Sequence, residues 1–132
     1  MIKKVLNNSL FLLLGLVIST PVFSQLPNPA IVGYLDCGQS LKLRNIDSRY
    51  NVVQISFAKG KNGTDYNLAF SPVSGYPEAE FKSDVEALQA EGKKVLISIG
   101  GQDDPVILDS LEERDVFVTS VNAMIDKWGF DG

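Results

Sequence analysis

Val95 to Ile99 is aliphatic at every position except Ser98, and this continuity constrains the fold more than any other stretch of the chain. A strand with one wet face alternates apolar and polar side chains, whereas a run without that alternation fits a strand buried on both faces, as in a parallel sheet covered by helices. Val52 to Ala58, rich in β-branched and aromatic residues, and Ile31 to Leu35, after the loop Leu26-Pro27-Asn28-Pro29, read as two earlier strands. Between the second and third runs, Phe81, Val85 and Leu88 recur at helical spacing, and Gly92 is placed to stop that helix in a left-handed conformation. Beyond the third run, Ser110 and Glu113 form a capping box, and Phe117, Val121, Met124, Ile125 and Trp128 mark one face of a second helix, so Trp128 is read as core. Gly129 ends that helix and Phe130 begins a fourth strand. Strands alternating with helices specify the α/β class with a parallel sheet.

The chain has 132 residues, which allows one domain at most, so any large single-domain α/β fold would be incomplete in it. Met1 to Lys4 is a short positive region, Leu10 to Ser19 is almost entirely apolar, and Val22-Phe23-Ser24 puts an aliphatic and a small residue before a cut. Residues 1–24 therefore read as a secretory signal peptide, leaving 25–132 as the mature segment. The apolar run is broken by Ser19, Thr20 and Pro21, short of the roughly 20 residues a membrane-spanning helix requires. The expected product is secreted, extracellular or periplasmic, with no membrane association after cleavage.

Several chemistries are excluded by composition. The chain has no histidine, so it holds neither a Ser-His-Asp triad nor a histidine-ligated metal site, and the lone Cys37 forms no intrachain disulfide and reads as a small, partly buried residue. Twelve basic against sixteen acidic residues give a net charge of −4, and loss of Lys3 and Lys4 with the leader takes it to about −6. That balance repels phosphate backbones, so nucleic acid is not an expected partner. Gly100-Gly101 follows a strand, yet neither G-x-G-x-x-G nor G-K-[ST] is present, and no cofactor or metal is expected. Asn62-Gly63-Thr64 reads as an Asn-Gly turn and matches the acceptor pattern for N-linked sugar.

In parallel α/β folds ligands gather at the carboxyl ends of the strands, which directs attention to Tyr34 to Asp36, Phe57-Ala58, Ser98 to Asp104 and Asp131. Four motifs agree there in order and spacing. Val32-Gly33-Tyr34, the Val53 to Ala58 strand with its aromatic, the string Gly92-Lys93-Lys94-Val95-Leu96-Ile97-Ser98-Ile99-Gly100-Gly101 and the closing Trp128-Gly129-Phe130-Asp131-Gly132 together resemble the family 18 glycoside hydrolases, the chitinase family. The resemblance spans nearly the whole mature segment.

It implies a (β/α)8 TIM barrel, of which this chain would be an N-terminal fragment with strands one to three and the start of the fourth. In the family, the fourth strand carries D-G-x-D-x-D-x-E, and Asp131 and Gly132 match its first two positions. There the terminal Glu is the general acid, and the last Asp holds the substrate's N-acetyl group while the carbonyl oxygen of that group attacks the anomeric carbon. By the resemblance, Asp131 takes a supporting role in the catalytic charge network, Tyr34 and Phe57 line the sugar subsite beside the cleaved bond, and Ser98, Gly100 and Gly101 belong to the third-strand motif at the substrate. After Gly101 the chain has Gln102-Asp103-Asp104, where many chitinases place an aromatic. The implied parent cleaves β-1,4 linkages in an N-acetylglucosamine polysaccharide or glycan. The alternatives are an endo-β-N-acetylglucosaminidase of the same family and a catalytically inactive carbohydrate-binding relative. Export predicts that N-terminal sequencing of the secreted protein begins at Gln25; intact Met1 in a membrane fraction contradicts the leader assignment.

Overall fold

A computed structural model describes residues 25–36, 41–102 and 104–132. The signal-peptide assignment and Cys37 lie outside the described residues. The elements are β1 (Val32–Asp36), β2 (Val52–Gly60), β3 (Leu68–Ala69), α1 (Glu78–Ala90), β4 (Lys94–Ile99) and α2 (Leu111–Trp128), with a 3-10 turn over Leu43–Asn45. β2 is the centre of the sheet, pairing in parallel with β1 on one side and β4 on the other, with Val32, Val52 and Lys94 in one register row and Tyr34, Gln54 and Leu96 in another. Asp131 N donates to Val95 O at 2.8 Å and Ile97 N donates to Gly132 O at 2.9 Å, so the segment after α2 begins a further strand on the outer edge of β4.

Alternation along the strands sorts side chains onto two faces. Leu35, Val53, Ile55 and Val95 meet α1 through Phe81, Val85 and Leu88, and α2 through Met124 and Trp128. Phe81 is the hub of this core. Its ring centroid lies 5.5 Å from Phe70, 5.2 Å from Tyr76, 5.4 Å from Trp128 and 6.2 Å from Phe130, tilted or edge-on as ring quadrupoles prefer. The opposite face carries Val32, Tyr34 and Asp36 of β1, the last opposite Ser56 of β2.

Local signals account for the helix boundaries. Glu78 and Glu80 in the first turn of α1 favour its positive amino end, and Gly92, at φ +81, closes the other end. Gly92 N donates to Gln89 O and Lys93 N to Leu88 O, the paired bonds of a left-handed helix stop. Ser110 Oγ accepts from Glu113 N at 3.1 Å while the Glu113 carboxylate accepts from Ser110 N at 3.0 Å, which is the capping box read from the sequence.

The connection from β1 to β2 breaks the strand-helix alternation. The 3-10 turn docks on α1 instead, through charges: Lys42 Nζ lies 2.8 Å from Glu80, and Arg44 Nη2 lies 2.7 Å from Glu80 and 2.9 Å from Asp84. Asp84 is only 5% exposed and also accepts the Tyr76 hydroxyl, which in turn accepts from Leu43 N at 3.2 Å. Burial pushes the Tyr76 hydroxyl well above its ordinary range, and the bond to Asp84 adds to that. β3 is the second departure. It pairs antiparallel with the end of β2 across the Asn62-Gly63 turn, whose φ values of 57° and 76° suit these two residue types.

Phe81→Ala removes the ring that the other four aromatics share, and it should cost about 3–5 kcal/mol. Urea unfolding would show this as a lower midpoint; a loss below about 1 kcal/mol contradicts the assignment of Phe81 as the hub.

Candidate active-site cleft

The carboxyl end of β2 is irregular. Ile55 pairs with Ile97 but Ala58 pairs with Ile99, so β2 carries an extra residue at Ser56-Phe57, and the peptide between them is cis. A bulge of this kind re-aims a side chain. Phe57 is 40% exposed while Ser56 and Ala58 on either side are buried. Its ring lies on the backbone of Gly101, where a Cβ would stand 3.6 Å from Phe57 Cδ2 on a residue at φ +133. The second glycine of the third-strand motif therefore gives the ring a flat backing. Gly100, buried, donates its N–H to Ala58 O at 3.0 Å and so fixes the motif against the bulge.

Beside the ring is a cavity of about 360 Å³ whose lining includes Asp36, Ser56, Phe57, Lys59, Phe70 and Ser71. Ser56 Oγ donates to Leu35 O at 3.0 Å, and Lys59 Nζ pairs with Asp104 at 2.9 Å, tying the end of β2 to the loop after Gly101. This combination of one aromatic face with carboxylate, ammonium and hydroxyl groups suits a ligand with both an apolar face and many hydroxyls. Among the described residues no three His, Cys, Asp or Glu side chains gather to hold a metal ion.

The other residues expected at the site are dispersed. Tyr34, 66% exposed, lies in the register row of Gln54 and lines a different cavity, of about 310 Å³, with Leu41, Asn45, Asp47 and Tyr50. The described structure does not bring Tyr34 and Phe57 into one subsite. Ser98 is half-buried near the end of β4.

Asp131 is not at the carboxyl end. Its backbone pairs with Val95, near the start of β4, about three residues or roughly 10 Å along the strand from Ser98. The reason is that Asp131 opens its strand rather than closing it. Its carboxylate accepts from Val95 N at 2.9 Å, Gln89 Nε2 at 3.0 Å and Lys94 Nζ at 3.0 Å, joining α1, β4 and the incoming strand. Burial alone would raise its pKa; the bonds from Val95, Gln89 and Lys94 outweigh that and hold the carboxyl below the usual range.

Sequence reasoning missed Phe70, Ser71 and Lys59. The first two reach the cleft through β3, and the Asn62-Gly63 turn signal followed by the apolar Leu68-Ala69-Phe70 was the pointer to that hairpin.

No protein-family model matches the chain. Curated relatives do: chitinase D of Niallia circulans is 38% identical over 127 residues, 89% of this chain and 24% of the relative. Exochitinase 1 of Streptomyces olivaceoviridis is 38% identical over 120 residues, 83% of this chain and 20% of the relative. The chain thus spans about a quarter or less of the length of these relatives. Among solved structures, a family 18 chitinase of Chromobacterium violaceum superposes with a TM-score of 0.70 at 32% identity, covering 78% of this chain and 29% of that one. In sequence and structure alike, the chain resembles family 18 chitinases.

Asp131→Asn keeps the shape but loses the charge-assisted bond to Lys94, and should destabilise by about 1–2 kcal/mol at pH 7. Because the folded carboxyl is held below its unfolded value, near 3.9, this contribution is present above that value and fades as pH falls through the folded pKa. Wild type and variant should therefore converge in acid; a gap that stays constant or widens as the carboxyl is protonated contradicts the clamp.

Proposed function

We propose that residues 25–132 form the opening strands of a family 18 glycoside hydrolase barrel that cuts β-1,4 linkages between N-acetylglucosamine units. The observation that carries this reading is the Phe57 ring, turned outward by the bulge and backed by Gly101, at the carboxyl ends of parallel strands in a protein that resembles chitinases at up to 38% identity. In a parallel barrel this end of the strands holds the chemistry.

On this reading the exposed face of Phe57 stacks on the apolar face of one sugar ring. Asp36, Ser56, Lys59 and Ser71 offer hydrogen bonds to its hydroxyls and acetamido group. Asp131 is a positioning residue that sets the register of the incoming fourth strand against β4, and with it the height of whatever that strand presents at the opposite end. The reaction is the substrate-assisted one: the acetamido oxygen attacks the anomeric carbon, a carboxylic acid protonates the leaving oxygen, and water then opens the oxazoline with overall retention. The groups for proton donation and acetamido orientation belong to the D-x-D-x-E part of the signature, which is not within these 132 residues.

The 132-residue protein should accordingly be inert on chitin oligosaccharides, since loss of general acid catalysis alone costs about 100- to 10,000-fold. A protein extended through an intact signature and the remaining strands should hydrolyse them with retained anomeric configuration, followed by NMR of the first product. Inverted product, or turnover by the unextended protein at a comparable rate, contradicts the mechanism.

A further inference from the structure

The β2–β3 hairpin serves the carbohydrate reading only as a wall of the cleft, yet its tip is a chemically reactive joint. Asn62 is the one asparagine in the sequence followed by glycine. Both residues are exposed, at φ 57° and 76°. A Cβ placed on Gly63 would meet nothing within 4 Å, so the tip of the turn is uncrowded on that side. Among the described residues no hydrogen bond engages the Gly63 N–H. The turn is closed by Thr64 N donating to Lys61 O at 3.1 Å and Lys61 N donating to Asn67 O at 2.8 Å. Below it the ladder has two pairs, Lys59 with Ala69 and Gly60 with Leu68. A ladder that short opens locally at low cost, which frees the turn to reach other backbone conformations.

We propose that Asn62 is a site of spontaneous deamidation and isoaspartate formation. The Gly63 amide nitrogen, having given its proton to hydroxide, attacks Cγ of Asn62. The bond from Cγ to Nδ2 breaks, ammonia leaves with a proton from water, and a five-membered succinimide closes. Water then adds to one or other ring carbonyl and leaves aspartate or isoaspartate at position 62. No oxidation or reduction is involved and water is the only co-reactant. Aspartate keeps the turn, because its short side group tolerates left-handed backbone. It adds a negative charge near Asp65 and Asp104, which with Gly63 and Thr64 line a cavity of about 390 Å³. Isoaspartate has the larger effect, routing the backbone through the former side group and adding a methylene to the tip of a two-pair ladder. That shift loosens the hairpin that sets Phe70 and Ser71 beside Phe57. The site stands independently of what the cleft binds.

The test is to incubate the full-length protein at neutral and mildly alkaline pH and sample it by peptide mapping with isoaspartate-specific methylation. Product should accumulate at Asn62 ahead of Asn45, Asn51, Asn67 and Asn122, and faster as pH rises. The Asn62→Gln variant should lose the early ammonia release even where the substitution loosens the turn, because the extra methylene forces closure through a less favourable six-membered ring. Asn62 remaining intact throughout, another asparagine converting first, or equal early ammonia release from Asn62→Gln would overturn the proposal.

Discussion

The rest of the structure depends on β2. It is bonded in parallel to β1 and β4 and continues into the hairpin with β3, so three elements take their register from it. Because strand side chains alternate with period two, a one-residue slip would send Val53 and Ile55 out of the aromatic core and expel the whole row. Packing against Phe81, Val85 and Leu88 fixes that register, and the fixed register in turn places the bulge at Ser56-Phe57. The outward Phe57 ring is therefore a consequence of core packing on the other face of the same strand.

The two ends of the sheet carry different duties. At the amino end, the adjacent lysines of the third-strand motif act as anchors: Lys93 Nζ donates to the carbonyls of Ser48 and Tyr50, both at 3.0 Å, while Lys94 reaches Asp131. Lys93 is buried, with Glu91 3.7 Å away as its nearest carboxylate, so its charge is satisfied largely by backbone dipoles. At the carboxyl end, Gly100 N donates to Ala58 O and Lys59 pairs with Asp104, which ties the end of β2 to the loop after Gly101.

The sequence made the regular parts legible. Continuous aliphatic runs, helical spacing of Phe81, Val85 and Leu88, and the Ser110/Glu113 box each reflect a local interaction, and each recurs in the structure. What it left hidden depends on contacts between residues far apart in sequence. The turn at Leu43–Asn45 is held by Glu80 and Asp84, some 40 residues away, and no periodicity announces such a dock. Tyr34 and Phe57 look equivalent as strand-end aromatics, but the bulge that separates their fates is a register shift between β2 and β4. Asp131 is marked as a site residue by the family resemblance; that its backbone opens a strand beside Val95, and that its carboxylate accepts from Val95 N, Gln89 Nε2 and Lys94 Nζ, depends on contacts some 40 residues apart.

On the proposed function, carbohydrate binds at the carboxyl-end cleft around Phe57, and the Lys94–Asp131 pair at the other end holds the incoming strand without touching the carbohydrate. Amide chemical-shift mapping of the ¹⁵N-labelled protein, extended through the intact signature and titrated with a chitin oligosaccharide, tests both halves at once. The account predicts saturable shifts at Phe57, Lys59, Ser71 and Gly101, with Val95 and Asp131 unmoved. Shifts centred on Asp131 and Val95, or on the Tyr34 and Tyr50 cavity with Phe57 silent, would contradict it.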